Sequence, residues 1–226
     1  TSFGTLGVSD VGYKIAESFG HKIVPVRPAL CAMAISGANP ELAGITLNAA
    51  IKIGKNQVHD SLLITHFGIG GPAAYRASLY DITDGIHINL APRVDVLQVL
   101  RDAKKSHGKK SIATILGEIL PSRVAKAIAT DNNRNIADIK DVELDKIVAQ
   151  IKHISIPATN IKYHSMASAE VVRGGVDTNE VSSKTMESKL QPRLFFAGEV
   201  LDVAGDLGGF NLHWAWASGR VAGQNA

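Results

Sequence analysis

The 226-residue sequence holds a single cysteine, Cys31. One thiol excludes an internal disulfide and a multi-cysteine zinc site. Its apolar surroundings, Pro28 to Met33, predict a buried core thiol; a catalytic thiol would need a helix N-terminus or a cation beside it. The chain contains no apolar run of about eighteen residues and no signal-peptide pattern, so no membrane partner and a reducing, cytoplasmic compartment are expected. Charge of one sign is scarce as well. Lys and Arg number 24 against 21 Asp and Glu, a net +3 that is too mild to suggest nucleic acid as a partner. Internal repeats are absent. No methionine precedes Met33, and the chain opens at Thr1 in mid-pattern, so it is expected to be a piece of a larger protein whose N-terminal segment is its natural partner.

What is present is the material of a folded domain. Apolar residues make up 45% and charged residues 20%, and a chain this long buries roughly 70% of its unfolded surface without needing a metal or disulfide. Asp10 to Gly20 reads as a short helix, with Asp10 as its N-cap, Tyr13, Ile15, Ala16 and Phe19 along one side and Gly20 as its stop. Pro25 and Pro28 then force extended chain. Ile45 to Ile53 places apolar side chains at every odd position, the period of a half-buried strand. Ser61–Thr65 and Ile86–Leu90 are further strands, separated by a short helix over Pro72–Tyr80. After Pro92 the period becomes helical. Stripes at Val94, Leu97, Leu100 and Ala103, at Ile112, Ile115, Leu116 and Ile119, at Val124 and Ile128, and at Leu144, Ile147, Val148 and Ile151 predict a small bundle. Lys104 to Lys110 reads as a solvated loop. From Ile154 the chain is extended again, Leu194–Ala197 is predicted as a short buried strand, and a last helix is expected from about Asn211 to Ala222.

Two glycine-rich segments invite a ligand. Gly68-Ile-Gly-Gly-Pro-Ala73 fits the G-x-G-x-x-G/A dinucleotide fingerprint. No acidic residue closes the following strand, the helix is barely two turns long, and alternating patterns flank it, so it reads as a tight turn before a short helix. The second segment runs from Leu194 to Gly219. Glu199, Asp202 and Asp206 lie in a loop, and Gly208-Gly209 precede the last helix. Glycines allow close backbone approach, the helix N-terminus offers N–H groups and partial positive charge, and the carboxylates can accept bonds from ligand hydroxyls. Two other readings stay open: a hard-cation loop, although the calcium-loop order is missing, and a purely structural loop with the aspartates as caps. Trp214 and Trp216 are expected in the core, and His66 and His213 carry no catalytic signal of their own.

The segment Phe196-Ala-Gly-Glu-Val-Leu-Asp202, with Gly205-Asp-Leu-Gly-Gly-Phe-Asn-Leu212 and Trp214-Ala-Trp216, resembles the C-terminal signature of the BaiN/YhiN-type, aminoacetone-oxidase-like NAD(P)/FAD-dependent oxidoreductases. Gly12-Tyr13, Gly20-His21, Pro28-Ala29-Leu30, Thr65-His-Phe-Gly68, Gly174-Gly175 and Met186-Glu-Ser-Lys189 support the resemblance, which extends over nearly the whole chain. Gly70 stands where serine is usual and His213 where glutamine is, and Ala204 and Ala217 replace the commoner Asp and Ser. The resemblance implies an α+β fold: the C-terminal part of a flavin-binding α/β domain, interrupted by a β-barrel-like insert that carries a small helical subdomain. The implied pieces are 1–24 and 166–226 for the FAD-binding domain, 25–91 and 154–165 for the insert, and 92–153 for the helical subdomain.

The resemblance also implies the site. Gly198, Glu199, Asp202 and Asp206 would lie along the FAD ribityl and pyrophosphate, and Gly208, Gly209, Phe210, Asn211 and Leu212 beside the isoalloxazine. FAD is the implied cofactor, NAD(P)H a candidate electron donor and a small organic molecule the substrate; no catalytic acid or base is identified and no metal is expected. The family's N-terminal FAD fingerprint is not among these residues, so the chain alone is expected to bind FAD weakly or not at all. The alternative is a non-catalytic binding or interaction module that does not hold flavin by itself.

Overall fold

The computed structural model describes residues 9–129 and 134–226. The start of the expected first domain piece (1–8) and four positions of the helical stretch (130–133) lie outside the described residues. The contacts divide the chain into two units, Thr1–Ala32 with Tyr163–Ala226, and Met33–Lys162. Those divisions fall at 32/33 and 162/163, where the sequence reading placed them at 24/25 and 165/166.

In the first unit, α1 (Val11–Ser18) buries Tyr13 and Ala16. Ile15 and Phe19 are exposed: at about 100° per residue, Ile15 lies on the far side of the helix from Tyr13. Asp10 does not cap the helix with its side chain but pairs with Lys14 at 2.9 Å. Gly20, at φ +84°, ends the segment.

Pro25 and Pro28 lie in β1 (Ile23–Ala29), which pairs antiparallel with β9 (Val171–Val176), from Ile23 opposite Val176 to Ala29 opposite Val171. This pairing holds residues 25–29 in the first unit. The register slips between Val24 and Arg27. Gly174 meets that irregularity at φ +88°, where an added Cβ would lie 2.3 Å from the Pro25 carbonyl oxygen, so only glycine fits.

Leu194–Ala197 is not a strand; it makes one isolated bridge, Phe195 with Glu187. Its neighbours bond within a folded loop, Ser188 N–H to Leu194 O at 2.7 Å and Phe196 N–H to Met186 O at 3.0 Å, which leaves no partner strand for the apolar run. The chain ends in α7 (Phe210–Asn225). Ala16, Val176, Val181, Met186, Phe196 and Leu201 form this unit's core, with Trp214 packed against it. Trp216, expected in the core, is 79% exposed; two positions from Trp214, it faces the other side of the helix.

The second unit is a seven-stranded sheet with helices. Its strands are β2 (Met33–Ile35), β3 (Thr46–Ile53), β4 (Asn56–Thr65), β5 (Gly68–Gly70), β6 (Ile86–Asn89), β7 (Ile154–Ile156) and β8 (Ile161–Tyr163), in the order β7-β6-β3-β4-β5-β2-β8. The pairs β3–β4, β3–β6, β4–β5, β2–β5 and β6–β7 are antiparallel. β3 buries Leu47, Ala49, Ile51 and Ile53 as its period-2 pattern predicts, and Ala50 on the other face as well. β4 begins five residues before the apolar run, because Gly54-Lys55 makes a two-residue hairpin turn that brings Asn56 opposite Ile53.

The end strands β7 and β8 are joined by residues 157–160 alone. A flat seven-stranded sheet would hold them about 29 Å apart, whereas that connection spans at most about 18 Å. The sheet is therefore strongly curved.

α2 (Gly71–Ala77) follows β5 directly. An added Cβ on Gly68 would lie 2.2 Å from Met33 O, so the dinucleotide-like glycines serve close strand approach.

The bundle comprises α3 (Val96–Ser106), α4 (Ile112–Leu116), α5 (Ser122–Ala129) and α6 (Asp141–Lys152). It shares one core with Ile45 and Leu47 of the sheet region. Asp95 caps α3 by accepting the Gln98 N–H, and Ser111 caps α4 through Thr114 N–H. Of the expected stripe of α3, Leu100 is fully buried and Val94, Leu97 and Ala103 pack partly buried against the same core, joined by buried Val96. The basic 104–110 segment is partly helical and anchored: Lys104 bonds Ile139 O at 2.7 Å and Asp141 at 3.0 Å, and Lys110 pairs with Glu118 at 3.0 Å.

Candidate functional site

The loop from Gly198 to Gly209 is tied to the first unit at three points, and the ties decide what its side chains can do. Gly198 is buried at φ +72° against α7: its N–H donates to Ser218 Oγ at 2.9 Å, and its carbonyl accepts the Trp214 indole N–H at 3.2 Å. Glu199 Oε1 accepts the Val172 N–H at 3.0 Å, and Asp202 Oδ1 accepts the Gly174 N–H at 2.8 Å. Both carboxylates thus satisfy backbone donors of β9, whose other edge pairs with β1. Asn211 closes the third tie. Its side chain bonds both sides of one peptide unit, Oδ1 accepting from Gly205 N–H at 2.7 Å and Nδ2 donating to Gly205 O at 3.0 Å.

Held this way, the loop opens a cavity of about 490 Å³ at the start of α7. Of the nine residues singled out from the sequence, Glu199, Asp206, Gly208, Gly209, Asn211 and Leu212 line it. Gly198 and Asp202 are outside the lining and hold the loop to α7 and β9. Phe210, 59% exposed, is also outside it. Gly208 and Gly209 have φ of +121° and +88°, and Gly209 is the N-cap of α7 without any side-chain cap. The first N–H groups of a sixteen-residue helix are therefore left for a ligand or water.

Leu30, Glu170, Val171 and Ala215 complete the wall. Ala215 lies one helical step from Asn211 and Leu212 and was within reach of the 3.6 period. Leu30, Glu170 and Val171 arrive through the β1–β9 pairing, which has no local signal. Behind the loop, Tyr13 Oη is buried without a hydrogen-bond partner. Burial, and then the nearby Glu199 charge, hold the Tyr13 phenol above its ordinary pKa, so it stays protonated. Among the described residues no three His, Cys, Asp or Glu side chains converge as metal ligands.

A second polar constellation was missed. His21, buried, lies with Nε2 2.7 Å from Ser188 Oγ and Nδ1 3.2 Å from Glu180 Oε2. The arrangement copies the spacing of a nucleophile, base and orienting carboxylate. Ser188 Oγ also accepts the Leu190 N–H at 3.0 Å and the Gln191 N–H at 2.9 Å. With both lone pairs so occupied, its own proton goes to His21 Nε2, which fixes Nδ1 as the protonated nitrogen facing Glu180. A saturated oxygen has no lone pair left for attack. The constellation is a lock between residues 21–22 and 180–191, reinforced by Lys22 N–H donating to Glu180 Oε2 at 2.9 Å.

A glycine-opened helix start offers N–H groups to acceptor atoms, and the two carboxylates beside it can accept bonds from hydroxyls, in a cavity large enough for part of an extended molecule. Residues 1–225 match the family described as HI0933-like protein Rossmann domain, and the chain belongs to that family, the BaiN/YhiN-type flavoproteins. Among similar proteins are the ribosomal RNA dihydrouridine synthase of Escherichia coli (strain K12), 35% identical over 97% of this chain and 57% of its own length, and that of Haemophilus influenzae, 38% identical over 94% and 55%. The 3-dehydro-bile acid delta(4,6)-reductase of Clostridium scindens is 29% identical over 98% and 59%. The chain spans little more than half the length of these relatives. No described helix is long and apolar enough to cross a membrane.

Proposed function

We propose that this chain is the cofactor-contacting C-terminal part of an FAD-dependent oxidoreductase, in which a hydride moves between flavin and an organic substrate or NAD(P)H. The observation that carries the reading is the uncapped start of α7 at Gly208-Gly209, opening on a cavity that Glu199 and Asp206 also line. The donors and acceptors fit a flavin. Backbone N–H groups at the helix start suit the ring carbonyls and nitrogens, and the Asp206 and Glu199 carboxylates suit the ribityl hydroxyls. FAD, when bound, supplies the redox chemistry. The chain's part is to hold it: Asn211 fixes the loop shape, Gly208 and Gly209 admit close approach, and the α7 dipole favours electron density at its start. That last effect is modest, about 0.3–1 kcal/mol, or on the order of 10–20 mV for a two-electron couple.

The relatives' names narrow the reaction. Dihydrouridine synthesis and delta(4,6) reduction both saturate a carbon–carbon double bond conjugated with a carbonyl in a ring, so the reading is a reductase of such bonds. A second reading, favoured by the two relatives named for ribosomal RNA, takes the ring to be uracil within RNA; it departs from the small-molecule substrate that the resemblance implies and from the absence of a nucleic-acid partner expected from the net charge. The curved sheet is read as the barrel-like insert of the family.

The test is a visible absorption spectrum of the purified chain before and after FAD is added. A structured, shifted flavin band that is weakened by Asp206→Ala supports the site. Without any spectral change on titration, the chain contributes no self-sufficient site, and the interaction-module reading replaces this one unless a longer form of the protein binds FAD.

A further inference from the structure

Net charge averaged over the whole chain hides a division. Met33–Lys162 carries 16 Lys and Arg against 12 Asp and Glu, and the remainder carries 8 against 9, so the entire positive excess belongs to the second unit. Within that unit, the outward-facing side of the sheet has a hollow of about 320 Å³ whose polar lining is Lys52, Gln57, His87, Asn89, Lys152 and His153. Strand register brings these residues together. Lys52 of β3 stands opposite Gln57 of β4 on one side and His87 of β6 on the other, while Asn89 stands opposite Ala50. Directly opposed residues hold their Cβ atoms about 5 Å apart on a shared face, so an ammonium, an imidazole and an amide converge on one spot. Lys152 and His153 arrive from the end of α6, with the Lys152 ammonium placed by a 2.7 Å bond to Val94 O. An ammonium has three N–H groups, and that bond uses one. No carboxylate lines the hollow among the described residues.

A solvated sheet face ordinarily mixes both signs. A concave one with two ammonium groups, two imidazoles, two amides and no acid is built to receive an anion with several acceptor oxygens. We propose that the hollow formed by Lys52, His87, Lys152 and His153 binds phosphate, with the backbone of a substrate RNA as its source. The proposal rests on the second reading above, in which the reduced ring belongs to RNA. It makes the second unit the element that holds the polyanion while the first unit holds the cofactor.

The experiment is fluorescence anisotropy of a labelled oligouridylate with the purified chain over a salt series. The wild type is compared with the double variant Lys52→Glu/His87→Glu and with Lys55→Glu, at the tip of the β3–β4 hairpin. The wild type binds. The double variant, folded by circular dichroism, loses about tenfold or more at low salt, and its log–log salt slope flattens by about 1.4, the value for two lost phosphate contacts to a single strand. Lys55→Glu keeps the wild-type slope. Equal losses in both proteins would show a general charge effect and overturn the proposal, as would unchanged binding in the double variant. If the double variant fails to fold, Lys52→Gln and His87→Gln serve instead. Competition by inorganic phosphate beyond its ionic-strength effect assigns the hollow to a single phosphate group; competition only by unlabelled RNA assigns it to the strand. The readout needs no flavin, so RNA binding without flavin binding leaves this proposal standing and refers the cofactor reading to a longer form of the protein, whereas flavin binding without RNA binding overturns this proposal alone.

Discussion

Replacing Ser188 by alanine separates a lock from a catalyst. In the structure, Ser188 Oγ accepts two backbone N–H groups, at 3.0 and 2.9 Å, and gives its proton to His21 Nε2 at 2.7 Å. Ser188→Ala removes all three bonds at once. The Leu190 and Gln191 N–H groups lie at a part-buried turn and regain some water, whereas His21 Nε2 is left in a ring only 4% exposed. A buried acceptor stripped of its donor costs about 1–3 kcal/mol, and the two turn bonds add something under 1 kcal/mol each. The expected loss is about 2–4 kcal/mol, or roughly 5–15 °C in melting temperature for a chain of this size. Thermal unfolding followed by near-ultraviolet circular dichroism measures it. The same saturation of Oγ predicts no reaction with a fluorophosphonate probe and no ester hydrolysis that Ser188→Ala abolishes. Stoichiometric labelling of Ser188, or a variant as stable as wild type, would refute the account of this triad-like group as a structural lock.

Three further outcomes follow from other parts of the structure. Asn211→Ala removes both bonds to Gly205 and should cost about 1–3 kcal/mol, with a weaker FAD-induced absorbance change; Asn211→Asp restores only the bond from Gly205 N–H, so it should recover at most part of the loss in denaturant titration. Tyr13→Phe deletes a buried hydroxyl that has no partner, so it should be neutral or more stable by about 1 kcal/mol. Because the folded phenol is held above its ordinary value of 10.0, wild-type stability should fall above about pH 10, and that fall should shrink in the variant. Glu143 is held below the ordinary carboxylate range, first by the Lys140 backbone N–H and then by Arg134. Its contribution is present at neutral pH and lost as the pH drops through its lowered value, so Glu143→Gln should flatten the acid limb of the stability profile.

Much of the second unit was legible because its signals are local. The odd-position alternation of β3 and the helical periods after Pro92 act within a few residues, and the structure places a strand and a bundle where those patterns point. The polar first half of β4 was missed because Asn56, Gln57 and His59 face outward and carry no apolar period; only the Gly54-Lys55 turn betrays them. In the first unit the glycines at 208 and 209 marked the chain just before a last helix, and α7 starts there, with both glycines at positive φ. The work of Glu199 and Asp202 could not be read in advance. Their oxygens answer N–H groups of β9, nearly thirty residues upstream. The apolar Leu194–Ala197 run misled for a related reason: hydrophobicity marks burial, while a strand also needs a neighbour for its backbone.

The pairing of β1 with β9 also sets an order of assembly. Ala29 and Val171 face each other across about 140 residues of chain, a closure that an unfolded polypeptide makes slowly. The intervening unit is contiguous and sets β2 beside β8, so its two ends emerge together. Once it has folded, the effective loop shrinks to about a dozen residues, and the entropy of bringing β1 to β9 falls by about 2 kcal/mol. Residues 33–162 precede β9 in the chain, so they leave a ribosome ahead of it. They can therefore act as an internal template that delivers β1 and β9 to one another, and a lesion in the bundle would surface first as a failure of that distant pairing.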